Sequence, residues 1–348
     1  MNRNRKILLL LVVSFIISVS GIFALVAYES LPVPKERGLN LQELRSGPML
    51  GPYYVKLERK YLQSGNVFDK NGVLVSEIQG AYHYQPVAIS QFALGAYEHY
   101  LERGDMEART AFLRCADWLR GNLKKKGVFH YWEYTFENSF APNGLYRVPW
   151  FSGMAQGQGA SVLLRAFSET EDPGYLRAAE KAIAPLFHDF SEGGASVVRG
   201  DDYVFPQEYP SDPASNILNG AISAYFGVYD YYRVTGDPVV RRFCRVMEGT
   251  FLKSLKIYDS GFWSFYASDP LCLATPHYHA VHIAQLKVLW RITEEEELLQ
   301  YARRFERYKK SWPNRIQYVL LNHLRQLKEF RPSDIRKIPA HLKEILYG

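Results

Sequence analysis

The sequence predicts a mainly α-helical fold, an incomplete (α/α) toroid of about four helical hairpins, with a short N-terminal β-hairpin and an N-terminal transmembrane helix. Three observations support this fold class: a repeated turn, paired helices of unequal polarity, and a long apolar run near the N-terminus. The repeated turns align on Asp105, Asp172, Asp237 and Glu295, at spacings of 67, 65 and 58 residues. A period of this kind is typical of a repeat architecture.

The chemistry of the turns explains why helices end and begin there. An Asp at a helix N-cap accepts hydrogen bonds from backbone N–H groups, and a Pro at the first helical position gives up an N–H that has no partner. Pro173 and Pro238 directly follow the acidic residue of their turns. Each turn therefore joins one helix to a second helix that runs back beside it.

The two helices of a pair differ in polarity. Residues 216–232 place apolar side chains at helical spacing with few charges, whereas the return helix over Val239–Phe251 is charged on one side. One helix is expected to face inward and the other to face water, as in a toroid of stacked helical pairs. We place this toroid at residues 81–312 and a basic helical tail at residues 313–348.

The N-terminal segment predicts a membrane anchor. Arg3, Arg5 and Lys6 precede Ile7–Tyr28, a run of 22 residues without a charge, which as a helix is long enough to cross a bilayer. The basic flank predicts a cytoplasmic tip within residues 1–28, with the rest of the chain on the non-cytoplasmic side, in the periplasm or a secretory lumen. A cleaved signal peptide is the alternative, although its apolar stretch is usually shorter.

Charge and cysteine content narrow the function classes. Of the net charge of +6, residues 1–28 carry +3 and residues 301–348 carry +8, which leaves −5 for residues 29–300. A nucleic-acid role for the central domain therefore loses its main support. The three cysteines show no C-x-x-C spacing and indicate neither a disulfide framework nor a zinc site. His279 and His282 are three residues apart, but no acidic residue or cysteine completes the set locally, so we predict no metal.

The connectors between the helical pairs are long and rich in aromatic residues and glycine. They lie at residues 125–150, 191–212 and 257–277. Loops of this length within a compact domain are usually functional, and in a toroid they emerge together at one end. Ahead of them, residues 29–80 form a spacer and a β-hairpin segment that turns at Asn71-Gly72. Unusual sequences stand at the connector ends, at Gln79–Pro86, Val148–Gly159, Gln207–Pro210 and Thr275–His282.

These segments resemble the C-terminal domain of the D-glucuronyl C5-epimerases, which invert C5 of glucuronic acid in heparan-type and related polymers. The resemblance runs from Leu50 to Arg291. Its specific motifs are Ser-Gly-Met-Ala-Gln-Gly-Gln at 152–158 and Glu-Tyr-Pro-x-x-Pro at 208–213. The resemblance implies a proton transfer that needs no cofactor, with catalytic roles for Glu208, Tyr209, Tyr266 and Tyr278.

Inversion at C5 requires one group to remove a proton from one face of the sugar and another to return a proton on the opposite face. Glu208 is expected to be one base or to orient Tyr209, with Tyr278 on the opposite face and Tyr266 binding the carboxylate or relaying a proton. Nine further residues are expected to bind substrate: Tyr82, Tyr84, Gln85, Arg147, Trp150, Gln156, His277, His279 and His282. Arg147 is the candidate to neutralise the substrate carboxylate, because animal members carry an Arg where this chain has Asp269.

Two glycines of the 152–158 region have a structural interpretation. Gly157 and Gly159 lie inside a helical pattern with no Lys after them, which indicates close helix packing and not a phosphate loop.

The expected reaction converts D-glucuronic to L-iduronic acid residues in an acidic polysaccharide. The expected partners are that polysaccharide and a membrane contacted through the N-terminal helix, with no nucleic acid, and a homodimer is compatible with the sequence. Three other functions stay open: a polysaccharide lyase acting by C5 proton abstraction and β-elimination, an inverting glycoside hydrolase using two of Glu133, Glu137 and Glu208, and a non-catalytic polysaccharide-binding protein. Residues 29–80 are too few to hold the β-barrel domain of animal members, so their substrate specificity does not carry over whole.

Overall fold

The structure of the protein, a computed structural model, describes residues 50–139 and 141–329. Over these residues the chain is mainly helical, as predicted. It divides into two compact units: the larger is Pro32–Glu306, and the smaller contains Arg307–Glu329 among the described residues. A short helix, α1 (Glu58–Leu62), comes first.

Four helical hairpins follow, each with an inner helix of 18 residues and then an outer helix, and all but residues 307–310 of the last outer helix belong to the larger unit. The inner helices are α2 (Pro86–Arg103), α4 (Gly153–Thr170), α6 (Leu218–Thr235) and α8 (Pro276–Thr293). The outer helices are α3 (Met106–Gly121), α5 (Pro173–Ile183), α7 (Pro238–Ser254) and α9 (Glu296–Lys310). The inner helices contact one another in chain order, α2 with α4, α4 with α6 and α6 with α8. The last helix, α10 (Trp312–Glu329), belongs to the smaller unit.

The turns between paired helices have the predicted chemistry. The side chains of Asp105, Asp172 and Asp237 each accept hydrogen bonds from backbone N–H groups in the first turn of the outer helix that follows. Pro173 and Pro238 occupy the first position of their helices. Each inner helix stops at a residue in the left-handed backbone conformation, namely Gly104, Glu171, Gly236 and Glu294.

A short antiparallel β-hairpin precedes each inner helix, where the sequence predicted loops for all but the first. The strands are β1 (Val67–Phe68), β2 (Leu74–Ile78), β3 (Ala81–His83), β4 (Lys124–Lys126), β5 (Phe129–Tyr131), β6 (Ser196–Arg199), β7 (Tyr203–Pro206), β8 (Phe265–Ser268) and β9 (Leu271–Leu273). The predicted hairpin at Asn71-Gly72 is the β1–β2 pair, and β2 also pairs with β3. Strands of two to five residues show too little alternation to be distinguished from loops in the sequence.

The inner helices α4 and α6 approach each other closely. Gly157 of α4 lies against Ala224 and Gly227 of α6, and a Cβ on either glycine would overlap backbone atoms of the facing helix. Gly159 faces the ring of Trp132 with no room for a side chain. The close packing predicted for Gly157 and Gly159 is therefore confirmed.

A buried ion pair joins α4 to α6 and holds the start of the described chain. Arg165 Nη1 lies 2.7 Å from Asp230 Oδ2, and the two side chains are 1% and 0% exposed. Tyr54 donates a hydrogen bond of 2.7 Å to the other oxygen of Asp230. Arg165 Nε donates to the carbonyl of Gly51 at 2.9 Å, so the segment that enters the fold is fixed to both inner helices.

The predicted membrane localisation requires correction. Within residues 50–139 and 141–329, no helix has both the length and the apolar character needed to cross a bilayer. The inner helices reach 18 residues, but polar and charged side chains such as Arg165 and Asp230 interrupt their apolar runs. The segment Ile7–Tyr28, on which the prediction depended, lies outside the described residues.

Loss of one partner of the buried pair should destabilise the fold strongly. Asp230→Asn leaves the Arg165 guanidinium buried without its carboxylate, so we expect the free energy of unfolding to fall by about 3–5 kcal/mol. Urea denaturation followed by circular dichroism measures this change. Lys253→Met is the control, because it breaks the Lys253–Asp202 pair, whose side chains are 56% and 78% exposed, and should change little. Equal losses in the two variants would contradict the prediction.

Candidate active site

The structure brings together four residues from two connectors and the start of one helix, beside the N-terminal ends of the inner helices. Glu208 and Tyr209 follow β7, Tyr266 lies on β8, and Tyr278 lies in the first turn of α8. The ring centroids of Tyr266 and Tyr278 are 4.8 Å apart. Side-chain hydrogen bonding links Glu208 to Tyr209 and to Tyr266. The four residues predicted to be catalytic therefore form one cluster.

Glu208 is held between the starts of α4 and α6. The residue before it, Gln207, accepts a hydrogen bond of 3.1 Å from the backbone N–H of Gly153 in α4. On the other side, Gly220 of α6 makes room for the side chain, since a Cβ there would lie 2.6 Å from Glu208 Cβ. Glu208 is only 8% exposed, and its Oε2 atom has no hydrogen-bond partner within the described part of the chain.

The surroundings shift the acidities of all four groups in the same direction. Burial raises the pKa of Glu208 to about 7, and hydrogen bonding to Tyr209 and Tyr266 limits the rise. Burial and the nearby Glu208 carboxylate raise the pKa of Tyr278 to about 12, and they raise the pKa values of Tyr209 and Tyr266 well above the usual value. At neutral pH the three phenols are therefore protonated donors, and Glu208 is the member of the cluster that titrates near neutrality.

An aromatic cluster supports Tyr209 from behind. Tyr134 and Trp150 stack with ring centroids 3.8 Å apart, and the Trp150 indole N–H donates to the carbonyl of Phe136 at 2.7 Å. The rings of Trp150 and Tyr146 lie 5.8 and 5.4 Å from the ring of Tyr209. Trp150, predicted to bind substrate, is 8% exposed and therefore acts chiefly as a support.

Three residues of the cluster escaped the sequence prediction. Burial, and then the charge of Glu208, raise the pKa of Tyr134. Asn138 hydrogen-bonds the side chain of Tyr209, and the Tyr146 hydroxyl donates to the Tyr209 carbonyl at 3.2 Å. All three lie in the connector at residues 125–150, where backbone bridges join Tyr134 to Trp150 and Asn138 to Tyr146. The two bridges belong to one antiparallel ribbon, in which residues equally far from the turn face each other. The sequence of this connector does not show which residues pair, so it could not identify these three.

Three of the nine predicted substrate-binding residues instead hold the protein together. The Gln156 amide donates to the carbonyls of His130 and Ala182 at 2.9 and 2.8 Å, and its side-chain oxygen accepts from the backbone N–H of Trp132. His279 and His282 are fully buried.

A single serine explains the placement of both histidines. Ser264 Oγ lies 2.8 Å from His279 Nδ1 and 2.9 Å from His282 Nδ1, and His279 Nε2 lies 3.0 Å from the carbonyl of Phe305. Burial, followed by the neighbouring His279, lowers the pKa of His282 to about 3, so this ring is neutral. These two histidines bind other parts of the protein, and their spacing reflects the contacts of α8 with Ser264 and, through His279, with the outer helix α9.

The other predicted contacts lie nearer the surface. Tyr82 is 60% exposed on β3, and His277 is exposed beside Tyr278, with the two rings 5.4 Å apart. Tyr84 donates a hydrogen bond of 2.7 Å to Asp69, and the Gln85 side chain lies 3.5 Å from Ser76 Oγ, so both are engaged with the first hairpin. Arg147 is exposed next to Tyr146, with no ion pair to a carboxylate of the described residues.

The described residues contain one group of side chains with metal-ligand spacing, Glu58, Glu98 and Glu102. It shares no residue with the cluster around Glu208. Within it, Glu98 accepts hydrogen bonds from the backbone N–H groups of Leu57 and Glu58, and Glu58 lies 2.8 Å from His99. These contacts give the group a structural role in fixing α1 to α2.

Comparison with known families agrees with this arrangement. The family model described as D-glucuronyl C5-epimerase C-terminus matches residues 126–307, just over half of the chain. The chain belongs to this family. The resemblance predicted from the sequence is thus confirmed, and the matched range includes Glu208, Tyr209, Tyr266 and Tyr278.

Two relatives show how far the similarity extends. A D-glucuronyl C5-epimerase of Caenorhabditis elegans is 34% identical over 221 residues, which cover 57% of this chain and 35% of that protein. An uncharacterised protein of Methanocaldococcus jannaschii is 29% identical over 219 residues, which cover 60% of this chain and 67% of that protein. The chain thus spans about a third of the length of the first relative.

Solved structures give weaker matches. A cellobiose 2-epimerase from Spirochaeta thermophila aligns with 76% of this chain and 64% of its own, at 12% identity and a TM-score of 0.48. An unsaturated glucuronyl hydrolase from Bacillus sp. GL1 aligns with 64% of this chain and 61% of its own, at 16% identity and a TM-score of 0.44. Similarity at this level decides neither the fold nor the function.

The space beside Glu208 should tolerate no methyl group at Gly220. Gly220→Ala places a Cβ 3.1 Å from the carboxyl carbon of Glu208 and closer still to its Cβ, so we expect the free energy of unfolding to fall by about 1–3 kcal/mol. Gly249→Ala is the matched control, because this glycine of α7 has open space around its Cβ position and should gain about 0.5–1 kcal/mol. Thermal unfolding of both variants tests the prediction, and a stabilised Gly220→Ala protein would refute it.

Proposed function

We propose that the protein is a carbohydrate epimerase that inverts C5 of D-glucuronic acid residues to L-iduronic acid in an acidic polysaccharide. The observation that carries the proposal is the cluster of Glu208, with a pKa near 7, and three protonated phenols. The cluster combines a base that is available at neutral pH with donors for the charge that develops on the substrate. Family membership adds independent support.

The proposed reaction balances with side chains alone. The Glu208 carboxylate removes the C5 proton, directly or through Tyr209, and the electron pair of the C–H bond moves into the substrate carboxyl group to give an enediolate. A phenol then donates a proton to the opposite face of C5 and becomes a phenolate. Return of the proton from Glu208 to that phenolate restores the starting state. A base whose pKa lies close to the working pH is the efficient choice for such a step.

The phenols also stabilise the intermediate. The enediolate carries two negative charges, and neutral hydroxyl donors that are already in place stabilise such charge without reorganisation. We assign Tyr278 to the opposite face, because Tyr266 lies between it and Glu208 in the hydrogen-bonding chain. Tyr266 would then bind the carboxylate or relay the proton, and Arg147 would neutralise the carboxylate from the rim.

A lyase is the second candidate, because it shares the first step and the same phenols could protonate the departing C4 oxygen. An inverting hydrolase is less well supported, since it requires two carboxyl groups and Glu133 lies 3.4 Å from the Lys124 ammonium group outside the cluster. A purely binding role gives no reason to bury Glu208 without a cation, which is costly.

Exchange of the C5 proton tests the proposal. The wild-type protein should introduce deuterium at C5 of a glucuronan polymer from heavy water, without chain shortening, as measured by NMR. Tyr278→Phe and Glu208→Gln should each reduce the exchange rate by about 10²-fold or more, because each removes a proton-transfer group. Tyr100→Phe is the control, since this hydroxyl bonds Glu169 at the far end of α2.

The alternatives give different readouts in the same samples. An unsaturated product with ultraviolet absorbance would indicate the lyase. New reducing ends without absorbance would indicate the hydrolase, and unchanged polymer without deuterium would contradict every catalytic proposal.

The pH dependence follows from Glu208. The base must be ionised, so kcat/KM should be constant above about pH 7 and fall about tenfold per pH unit below it. In Glu208→Asp the residual activity should keep an acid limb, whereas in Glu208→Gln that limb should vanish. Initial exchange rates between pH 5 and 9 measure both. A wild-type profile without a fall near pH 7 would exclude Glu208 as the base.

A further inference from the structure

A basic cavity lies apart from the cluster of Glu208 and the three tyrosines. It encloses about 350 Å³ and is formed by the end of α3, the β4–β5 hairpin and one face of α5. The residues that matter in its wall are Arg120, Leu123, Lys125, His130, Arg177 and Lys181.

Two regular elements direct these side chains into the same space. Lys125 and His130 are cross-strand partners in the β4–β5 hairpin, so their side chains lie on one face of it. On α5, Gly174, Arg177 and Lys181 stand at positions i, i+3 and i+7, which share one face of a helix. Gly174 leaves room for the Arg120–Asp172 pair, since a Cβ there would lie 3.1 Å from Arg120 Nη1 and 3.0 Å from Asp172 Oδ1.

The charges of the cavity are poorly balanced. Arg120 is matched by two carboxylates, with Asp172 at 2.5 Å and Asp117 at 2.9 Å. Within residues 50–139 and 141–329, neither Lys125 nor Lys181 forms an ion pair with a carboxylate. Arg177 likewise makes no ion pair there, although its charge helps to lower the pKa of Asp172.

The excess of positive charge acts on the histidine. Burial, and then the charges of Lys181 and Lys125, lower the pKa of His130. This positive field stands out because residues 29–300 carry a net charge of −5. The cavity is thus lined by positive side chains although the segment that contains it has a net negative charge.

We infer that the cavity is a second binding site for the acidic polysaccharide, where Lys125, Arg177 and Lys181 hold a uronate carboxylate that is remote from the reacting residue. This inference rests on the proposed function. Ammonium and guanidinium groups without protein partners are suited to a carboxylate, and the volume lies at the small end of the ~300–1,000 Å³ range of ligand pockets. One charged sugar, and not a large cofactor, is the fitting occupant.

The chain links this cavity to the candidate active site over a short distance. His130 faces the cavity, and Tyr134, four residues later, belongs to the aromatic cluster behind Tyr209. Strand β5 ends at Tyr131, and since a fully extended chain rises about 3.3 Å per residue, His130 and Tyr134 are at most about 13 Å apart. The Gln156 amide fixes the strand by donating to the His130 carbonyl. The inference requires a polymer chain long enough to contact both places at once.

Binding of an unsulfated glucuronan to the unreactive Glu208→Gln protein tests the inference by isothermal titration calorimetry. In that background, Arg177→Gln with Lys181→Gln should weaken polymer binding about tenfold. Arg242→Gln with Arg245→Gln is the matched control, because it removes the same charge from exposed positions on the outer helix α7 and should change affinity less than twofold. A glucuronate disaccharide, too short to reach the cavity, should bind both double variants alike.

Several results would overturn the inference. Two are equal polymer affinity in the two double variants and no polymer binding to the Glu208→Gln protein. The other two concern the polymer: the Arg177→Gln, Lys181→Gln variant would lose affinity only for a sulfated polymer, or for single-stranded DNA but not for glucuronan. Binding is measured without turnover. A failure of C5 exchange in the wild-type protein would therefore count against the proposed function, while the binding measurements would still test the second site.

Discussion

The close approach of α4 and α6 at Gly157 and Gly227 is the contact on which the candidate site depends. Because the two backbones touch there, the starts of both helices are also near each other, and the connector that follows β7 must pass between them. Gly153 binds the Gln207 carbonyl on one side, and Gly220 leaves room for Glu208 on the other. The absence of side chains at Gly153 and Gly220 therefore leaves the space in which Gln207 and Glu208 fit.

Helix α6 carries one buried carboxylate, Asp230, and packs against another, Glu208, and the surroundings of the two differ in charge. Asp230 receives the Arg165 guanidinium and the Tyr54 hydroxyl, so its charge is compensated and the inner helices are joined. Glu208 receives only phenols, and burial raises its pKa to about 7. A fixed cation stabilises the charged form of a structural carboxylate such as Asp230. A general base is better without one, because a nearby cation would lower its pKa away from the working pH that the proposed reaction requires.

The sequence revealed the parts of the fold that depend on local chemistry. Capping by Asp105, Asp172 and Asp237 acts within one helical turn, so the repeat could be predicted from spacing alone. The hairpins before α4, α6 and α8 could not, since their strands are too short to show a period. The site residues divide similarly: family motifs identified the Glu208 cluster, but they could not show that Gln156, His279 and His282 bind other parts of the protein. Inward-facing polar residues look alike in sequence whether they bind a ligand or a neighbouring backbone.

An Asp at position 269, where animal members carry an Arg, is compatible with the raised pKa of Glu208. The pKa of Glu208 is set by burial and by phenol hydrogen bonds, and no cation of the described residues contributes to it. A guanidinium fixed beside Glu208 would stabilise the ionised carboxylate, lower its pKa and weaken it as a base. Arg147, the residue proposed to meet the substrate carboxylate, is exposed to solvent, where its charge is screened. If a buried glutamate is the base of the site, neutral phenols beside it can donate hydrogen bonds and leave its pKa near neutrality, whereas a cation in the same place would lower that pKa.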